Sequence, residues 1–150
     1  MDIHLNNNER IDDLEFNNYQ IIQSTSGFCF GIDAVLLSNF AKEIKKGSNI
    51  LDLCTGTGII SILLAGKTEN THITAVEIQE NVANMAMRSV CLNNLEDRIT
   101  IINDDLKNIP SHFELGSFDV IVTNPPYKKE NSGLTNTITE KLISRHEIMC

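Results

Sequence analysis

Val120-Ile121-Val122-Thr123-Asn124-Pro125-Pro126-Tyr127 is the stretch whose reading decides the fold. Four β-branched residues run together without a charge, which predicts a buried strand. The two prolines carry no amide hydrogen for a sheet ladder, so the strand ends at Asn124. A residue before proline is pushed toward extended geometry. Asn124 therefore stands as a polar acceptor on a stiff rim, with the Tyr127 ring three positions on as a stacking platform. A rigid strand exit with a packed tyrosine would use the same residues, because proline pairs mark loops.

Working back from that rim, strand and helix patterns alternate. Asn49-Ile50-Leu51-Asp52-Leu53, then His72 to Glu77, then Ile99 to Ile102, and finally Phe118 to Thr123 read as strands. Helical patterns fall between them at Ile59 to Ala65 and at about Glu80 to Asn93, the second burying Val82, Met85, Ala86 and Val90. Alternation of this kind predicts an α/β fold with about four parallel strands and right-handed crossovers. Upstream, Leu14-Glu15-Phe16 and Tyr19 to Gln23 read as a small hairpin around Asn17-Asn18, and Met1 to Asp13 as a ragged polar start. Asp33 reads as the N-cap of a helix that buries Ala34, Leu36, Leu37, Phe40, Ala41 and Ile44 and stops at Gly47. Core packing accounts for that apolar face but not for Gly31-Ile32-Asp33 before it.

Bulk properties narrow the class. A chain of 150 residues suits one domain. The net charge of −8 disfavours a broad phosphate-binding face. The acid is uneven, however. Lys128, Lys129, Lys141 and Arg145, with His146, face three glutamates in the last stretch, a mildly basic edge beside the rim. Lys128 and Lys129 could equally be solvated, and Arg145-His146 could lie on a helix surface. Cys29, Cys54, Cys91 and Cys150 form no Cys-x-x-Cys pair and have no metal spacing with histidine. Reduced thiols and a cytoplasmic location are expected, with no metal. No signal-peptide core or membrane-length apolar run is present.

Every strand in the alternation ends on a polar signal: Asp52, Glu77, Asp104/Asp105 and Asn124. Ligands of open parallel sheets sit at the carboxyl ends of the strands. Asp52-Leu53-Cys54-Thr55-Gly56-Thr57-Gly58 opens a helix, where glycines let backbone approach a ligand, although a plain tight turn explains a lone Gly-x-Gly. Glu77 follows about twenty residues later, where a carboxylate can take both ribose hydroxyls. One of Asp104 and Asp105 could accept from an adenine amino group; the other fits a turn or cap. The pattern indicates an adenosine site. An NAD-linked oxidoreductase is the weaker alternative, since Ser61 stands at the third small position and hydride transfer has no use for Asn-Pro-Pro-Tyr.

With these elements in order, the chain resembles a Rossmann-like (class I) S-adenosylmethionine-dependent methyltransferase. Its Asn-Pro-Pro-Tyr element is similar to that of enzymes methylating an exocyclic nitrogen, chiefly N6 of adenine. Phe28 to Leu37 is similar to the bacterial family that methylates N6 of an anticodon-loop adenine in a valine tRNA, and Arg145-His146-Glu147 matches a segment of its members. The resemblance implies S-adenosylmethionine as cofactor and RNA, specifically tRNA, as partner. It implies a catalytic rim of Asn124, Pro125, Pro126 and Tyr127. Phe30, Asp33, Asp52, Cys54, Thr55, Gly56, Gly58, Glu77, Asp104 and Asp105 are then the cofactor side. Lys128, Lys129 and Arg145 are the substrate side. An rRNA base or a protein glutamine is the alternative target, because planar amides and exocyclic amines share a geometry.

Two departures stand out. Cys54 occupies the usual first glycine of the loop, and the seven-stranded sheet of the class stops after four strands. The expected layout is a hairpin and helix over 1–47, a cofactor-binding half-sheet over 48–127, and a substrate-side segment over 128–150, C-terminally incomplete. The fourth strand, central in the class, then offers an apolar edge open to self-association, and a non-catalytic remnant is the remaining alternative.

Overall fold

A computed structural model describes residues 4–26 and 29–125. Pro126, Tyr127, Lys128, Lys129 and Arg145 lie outside the described residues, as does the 128–150 segment.

Four parallel strands form the sheet: β3 (Asn49–Leu53), β4 (His72–Glu77), β5 (Ile99–Asn103) and β6 (Val120–Thr123), in the spatial order β5-β4-β3-β6. The chain thus steps outward from β3 to β5 and then crosses back to β3's other side. That reversal lies between β3 and β6, where the carboxyl ends of parallel strands leave a crevice. Ile50 and Leu51 pair with Val120 and Ile121, so Leu53 aligns with Thr123. The Thr123 hydroxyl donates to the Leu53 carbonyl at 3.0 Å, which closes the two tips on each other.

Helix α2 (Ile59–Lys67) has buried residues without a break from Ile59 to Ala65. A helix apolar all round belongs in a core, and α2 packs with Ile50, Ile73 and Ile99 of the sheet and Ile21 of the hairpin. Helix α3 (Glu80–Leu92) is amphipathic, with Val82, Met85, Ala86 and Val90 buried as the spacing predicts. It ends at Asn93, and Asn94 then turns through φ +54°.

The hairpin differs from expectation in register. Its strands are β1 (Glu9–Asp13) and β2 (Gln20–Ser24), and Leu14 to Tyr19 form the turn. β1 is too polar to announce itself. It holds its place because Glu9 takes a bidentate ion pair from Arg88 of α3, at 2.6 and 2.7 Å. That guanidinium pulls the Glu9 carboxyl down to about 2. The outer edge of β2 is satisfied by α3 side chains. Ser89 Oγ accepts from the Ile22 N–H, and the Asn93 amide bonds both the N–H and the C=O of Gln20.

Helix α1 (Ile32–Phe40) starts one residue before the expected cap. Gly31 is the N-cap residue, and Asp33 lies inside the first turn. The helix buries Ala34 and Ser38, whereas Leu36 and Phe40 are 59% and 87% exposed. These two were expected in the core. They face outward because β6 is the last strand on that side among the described residues, and no described element covers it. β6 accordingly alternates instead of being buried throughout: Val122 is buried and Ile121 is 61% exposed. Phe40, Leu37 and Ile44 border the same apolar groove as Val120 and Ile121. No described helix is long and apolar enough to cross a membrane.

Candidate active site

A cleft open to solvent lies over the tips of β3 and β6. Its floor is the loop Cys54-Thr55-Gly56-Thr57 with the start of α2; Phe30 and Gly31 come from the segment before α1, Val82 and Met85 from α3, and Asn124 from the end of β6.

The loop is held from below and from the side. The Thr55 N–H donates to Val76 O and the Gly56 N–H to Glu77 Oε2, both at 3.0 Å, so two successive amides tie it to β4. Gly56 has φ +61°, and a Cβ there would meet nothing within 4 Å, so the glycine leaves the cleft side open. Gly58 has φ +88° and lies 3.5 Å, measured from an added Cβ, from Ala86. It is the cap of α2 and the close approach to α3 at once.

Cys54 is itself left-handed, at φ +59°. The loop needs positive φ at this position, and a β-carbon there costs roughly 1–2 kcal/mol. Cys54→Gly is therefore expected to stabilise the chain by about 1 kcal/mol after glycine's own entropy cost, raising Tm by about 2 °C in a thermal melt.

Beneath the loop, Asp52 is fully buried. Its Oδ2 accepts from the hydroxyls of Thr55 and Ser61, both at 2.7 Å, and its Oδ1 has no hydrogen-bond partner among the described residues. Asp52 thus braces the loop against α2 and does not line the cleft. Burial pushes its carboxyl up to about 6, with the Ser61 and Thr55 hydroxyls pulling the other way. The folded chain holds this proton more tightly than the unfolded one. Ionisation therefore costs stability as pH rises from 3.8 to about 6, by about 3 kcal/mol in full. Asp52→Asn has no such proton. Its stability relative to wild type is expected to rise across that window, read as the difference in urea midpoints at about pH 4 and about pH 7.

Glu77 is 6% exposed, and burial raises its carboxyl pKa. Its Oε2 accepts from Gly56 and its Oε1 from the Gln79 N–H at 2.9 Å. Each oxygen keeps acceptor capacity, since an ionised carboxylate has about four lone-pair sites.

The β5 tip is arranged differently. Asp104 Oδ1 accepts from the Asp105 N–H and the Asn108 amide, and Oδ2 sits 2.6 Å from His112 Nε2. Those partners, Asn108 first, hold its carboxyl below the usual range. Asp105 caps the turn Leu106–Asn108 through the Lys107 N–H. Neither aspartate borders the cleft. His112, eight residues on, is the side-chain neighbour of Asp104.

Asn124 is half-buried on the cleft wall, and its Nδ2 donates to Asp33 Oδ2 at 2.7 Å. Phe30 reaches the cleft because buried Gln23 accepts its N–H at 3.2 Å. The structure therefore brings together Phe30, Cys54, Thr55, Gly56 and Asn124, with Asp33, Asp52, Gly58 and Glu77 one contact behind. Sequence reading did not single out Ser24, or Val82 and Met85 as cleft residues. The last two carried only the signal of an ordinary core face. No group of three or more His, Cys, Asp or Glu among the described residues could hold a metal ion.

The tRNA1(Val) (adenine(37)-N6)-methyltransferase of Aliivibrio salmonicida is 33% identical over 132 residues, covering 87% of this chain and 53% of that protein. The protein of the same name from Porphyromonas gingivalis is 32% identical over 141 residues, covering 91% and 54%. The chain thus spans about half the length of the curated relatives it matches. Among solved structures, Trm5 of Methanocaldococcus jannaschii, in complex with adenosine, superposes with a TM-score of 0.63 at 19% identity, over 83% of this chain and 37% of that one. At that identity the likeness is one of fold, and the fold is the Rossmann-like methyltransferase sheet. The methyltransferase small domain matches residues 13–147, so nearly all of the sequence is accounted for, and the chain belongs to that family.

Proposed function

We propose that this chain carries the cofactor-binding half-sheet and nitrogen-gripping rim of a methyltransferase acting on an exocyclic amine, N6 of adenine in tRNA. The carrying observation is that Asn124 stands on the wall of the same cleft whose floor is the glycine loop. The residues present fit S-adenosylmethionine. The floor is open at Gly56, the walls are apolar at Phe30, Val82 and Met85, and a buried carboxylate lies behind the loop at Glu77. When bound, that cofactor supplies a methyl group on a sulfonium for in-line displacement by the amine.

The chain's own residues handle the amine. Adenine N6 is a weak nucleophile because its lone pair is delocalised into the ring. Asn124 Oδ1 and the Pro125 carbonyl accept its two N–H bonds, which favours a pyramidal nitrogen and localises the lone pair. Such acceptors act most strongly where charge develops in the transition state. Tyr127 stacks on the unstacked base, and Lys128, Lys129 and Arg145 meet phosphate; these four belong to the reading on sequence grounds alone. Glu77 holds the ribose and the loop over Asp52 holds the methionine end; Asp104 or Asp105 as the adenine partner rests on sequence grounds alone, since neither borders the cleft. The cytoplasm is the compartment this reading requires.

Labelled methyl uptake from S-adenosylmethionine into bulk tRNA, rRNA and protein tests the reading. Uptake into tRNA, recovered as N6-methyladenosine after digestion, is expected; a larger thermal shift with NAD than with S-adenosylhomocysteine would overturn it. A second reading rests on the 61% exposure of Ile121 on β6. Here the half-sheet binds cofactor without transferring methyl and self-associates through that edge. Calorimetric binding of S-adenosylhomocysteine with no transfer to any substrate, and a dimer that Ile121→Lys disperses, would favour it.

A further inference from the structure

We propose that Asp33 is a positioning residue that fixes which end of the Asn124 amide faces the cleft, and that Gly31 is there to leave room for it. The proposal rests on the reading of Asn124 above and extends it to the segment before α1.

A side-chain amide can be turned over without changing its shape, which exchanges a donor for an acceptor at the same place. Only one of the two orientations can receive an amine. An ionised carboxylate is acceptor-only. With Asp33 Oδ2 at 2.7 Å, the –NH₂ end of Asn124 must face Asp33 and the carbonyl oxygen must face away from it. The bond is charge-assisted, so it holds this orientation more firmly than a neutral partner would. It also spans 91 residues of sequence and ties the start of α1 to the end of β6.

Gly31 supplies an independent observation. Its φ of −106° is open to any residue, so conformation does not call for glycine there. A Cβ on Gly31 would instead come within 2.5 Å of Asp33 Oδ1. The absent side chain is the seat of the Asp33 carboxylate. This accounts for Gly31-Ile32-Asp33, which core packing left unexplained.

An acid in the first turn of a helix is favourable whatever its neighbours, so a test must read Asn124 itself. The side-chain amide protons of Asn124, assigned by nuclear magnetic resonance, are expected to exchange slowly in the wild-type chain and with a wide shift difference between them. In Asp33→Ala and in Gly31→Ala both signatures should collapse toward those of a solvated amide. Asp33→Asn, which retains an acceptor, should recover part of them. The same two variants are expected to lose about tenfold in kcat for RNA methylation at saturating S-adenosylmethionine. Unchanged Asn124 amide signals in both variants would overturn the proposal. Collapsed signals with full methyl transfer would keep the contact and refute its positioning role. Wild-type protein that transfers no methyl, with signals that still collapse, would count against the reading of the site and not against the Asp33 contact.

Discussion

Asn124→Ala is expected to lower methyl transfer to RNA by about 10²–10³-fold while leaving S-adenosylhomocysteine affinity within about twofold. The size follows from what the carboxamide does. Removing one preorganised acceptor costs what removing one oxyanion donor costs elsewhere, because it acts mostly in the transition state. The selectivity follows from position. Asn124 follows the tip of β6, and its amide donates to Asp33, whereas the loop is tied to β4 by Thr55 and Gly56. Truncating Asn124 removes no support from that loop. A single-turnover assay with saturating cofactor separates the two effects. Transfer that persists at the wild-type rate would remove Asn124 from the chemistry, and a parallel loss of cofactor affinity would make it a wall residue.

The sheet was legible because parallel strands buried between layers are written as near-continuous apolar runs. Ile50-Leu51, Ile73, Val76 and Ile99 needed no partner to be read. The loop was legible because only a few residues tolerate positive φ, and Gly56 and Gly58 both take it. β1 was not legible. Its sequence Glu-Arg-Ile-Asp-Asp has one apolar residue, and it is a strand because Glu9 meets Arg88 from 79 residues away. The α1 face was misjudged for a related reason. Periodicity marks Leu36 and Phe40 as apolar-face residues but cannot say whether anything covers them. The site divides the same way. Asp52, Glu77 and Asn124 each lie within a residue of a strand's carboxyl end, so their gathering follows from topology. That Asp52 points under the loop and that Asp104 is taken up by His112 depend on side-chain directions that spacing does not encode.

Glu77→Ala is expected to weaken cofactor binding by about 1–3 kcal/mol, a five- to 150-fold rise in Kd, because it deletes a buried acceptor from both ligand and loop. The carboxylate already accepts the Gly56 and Gln79 amides, so it preorganises the loop before any ligand arrives. Two losses are therefore folded together: the ribose contact and the loop's own support. Glu77→Gln separates them. Its amide oxygen can keep one of the two N–H bonds, and its –NH₂ cannot accept the other, so the loop is partly retained while the charge is gone. If the ribose contact dominates, Glu77→Gln should approach Glu77→Ala in Kd while melting closer to wild type. If loop support dominates, affinity and melting temperature should fall in step across the two variants. The carboxyl's pKa is raised by burial, so the wild-type chain binds a proton there more readily than the unfolded chain does. Cofactor affinity should accordingly weaken as pH falls through that raised pKa, and this acid limb should be absent from Glu77→Gln. Unchanged affinity of Glu77→Ala in calorimetry would take Glu77 out of the site.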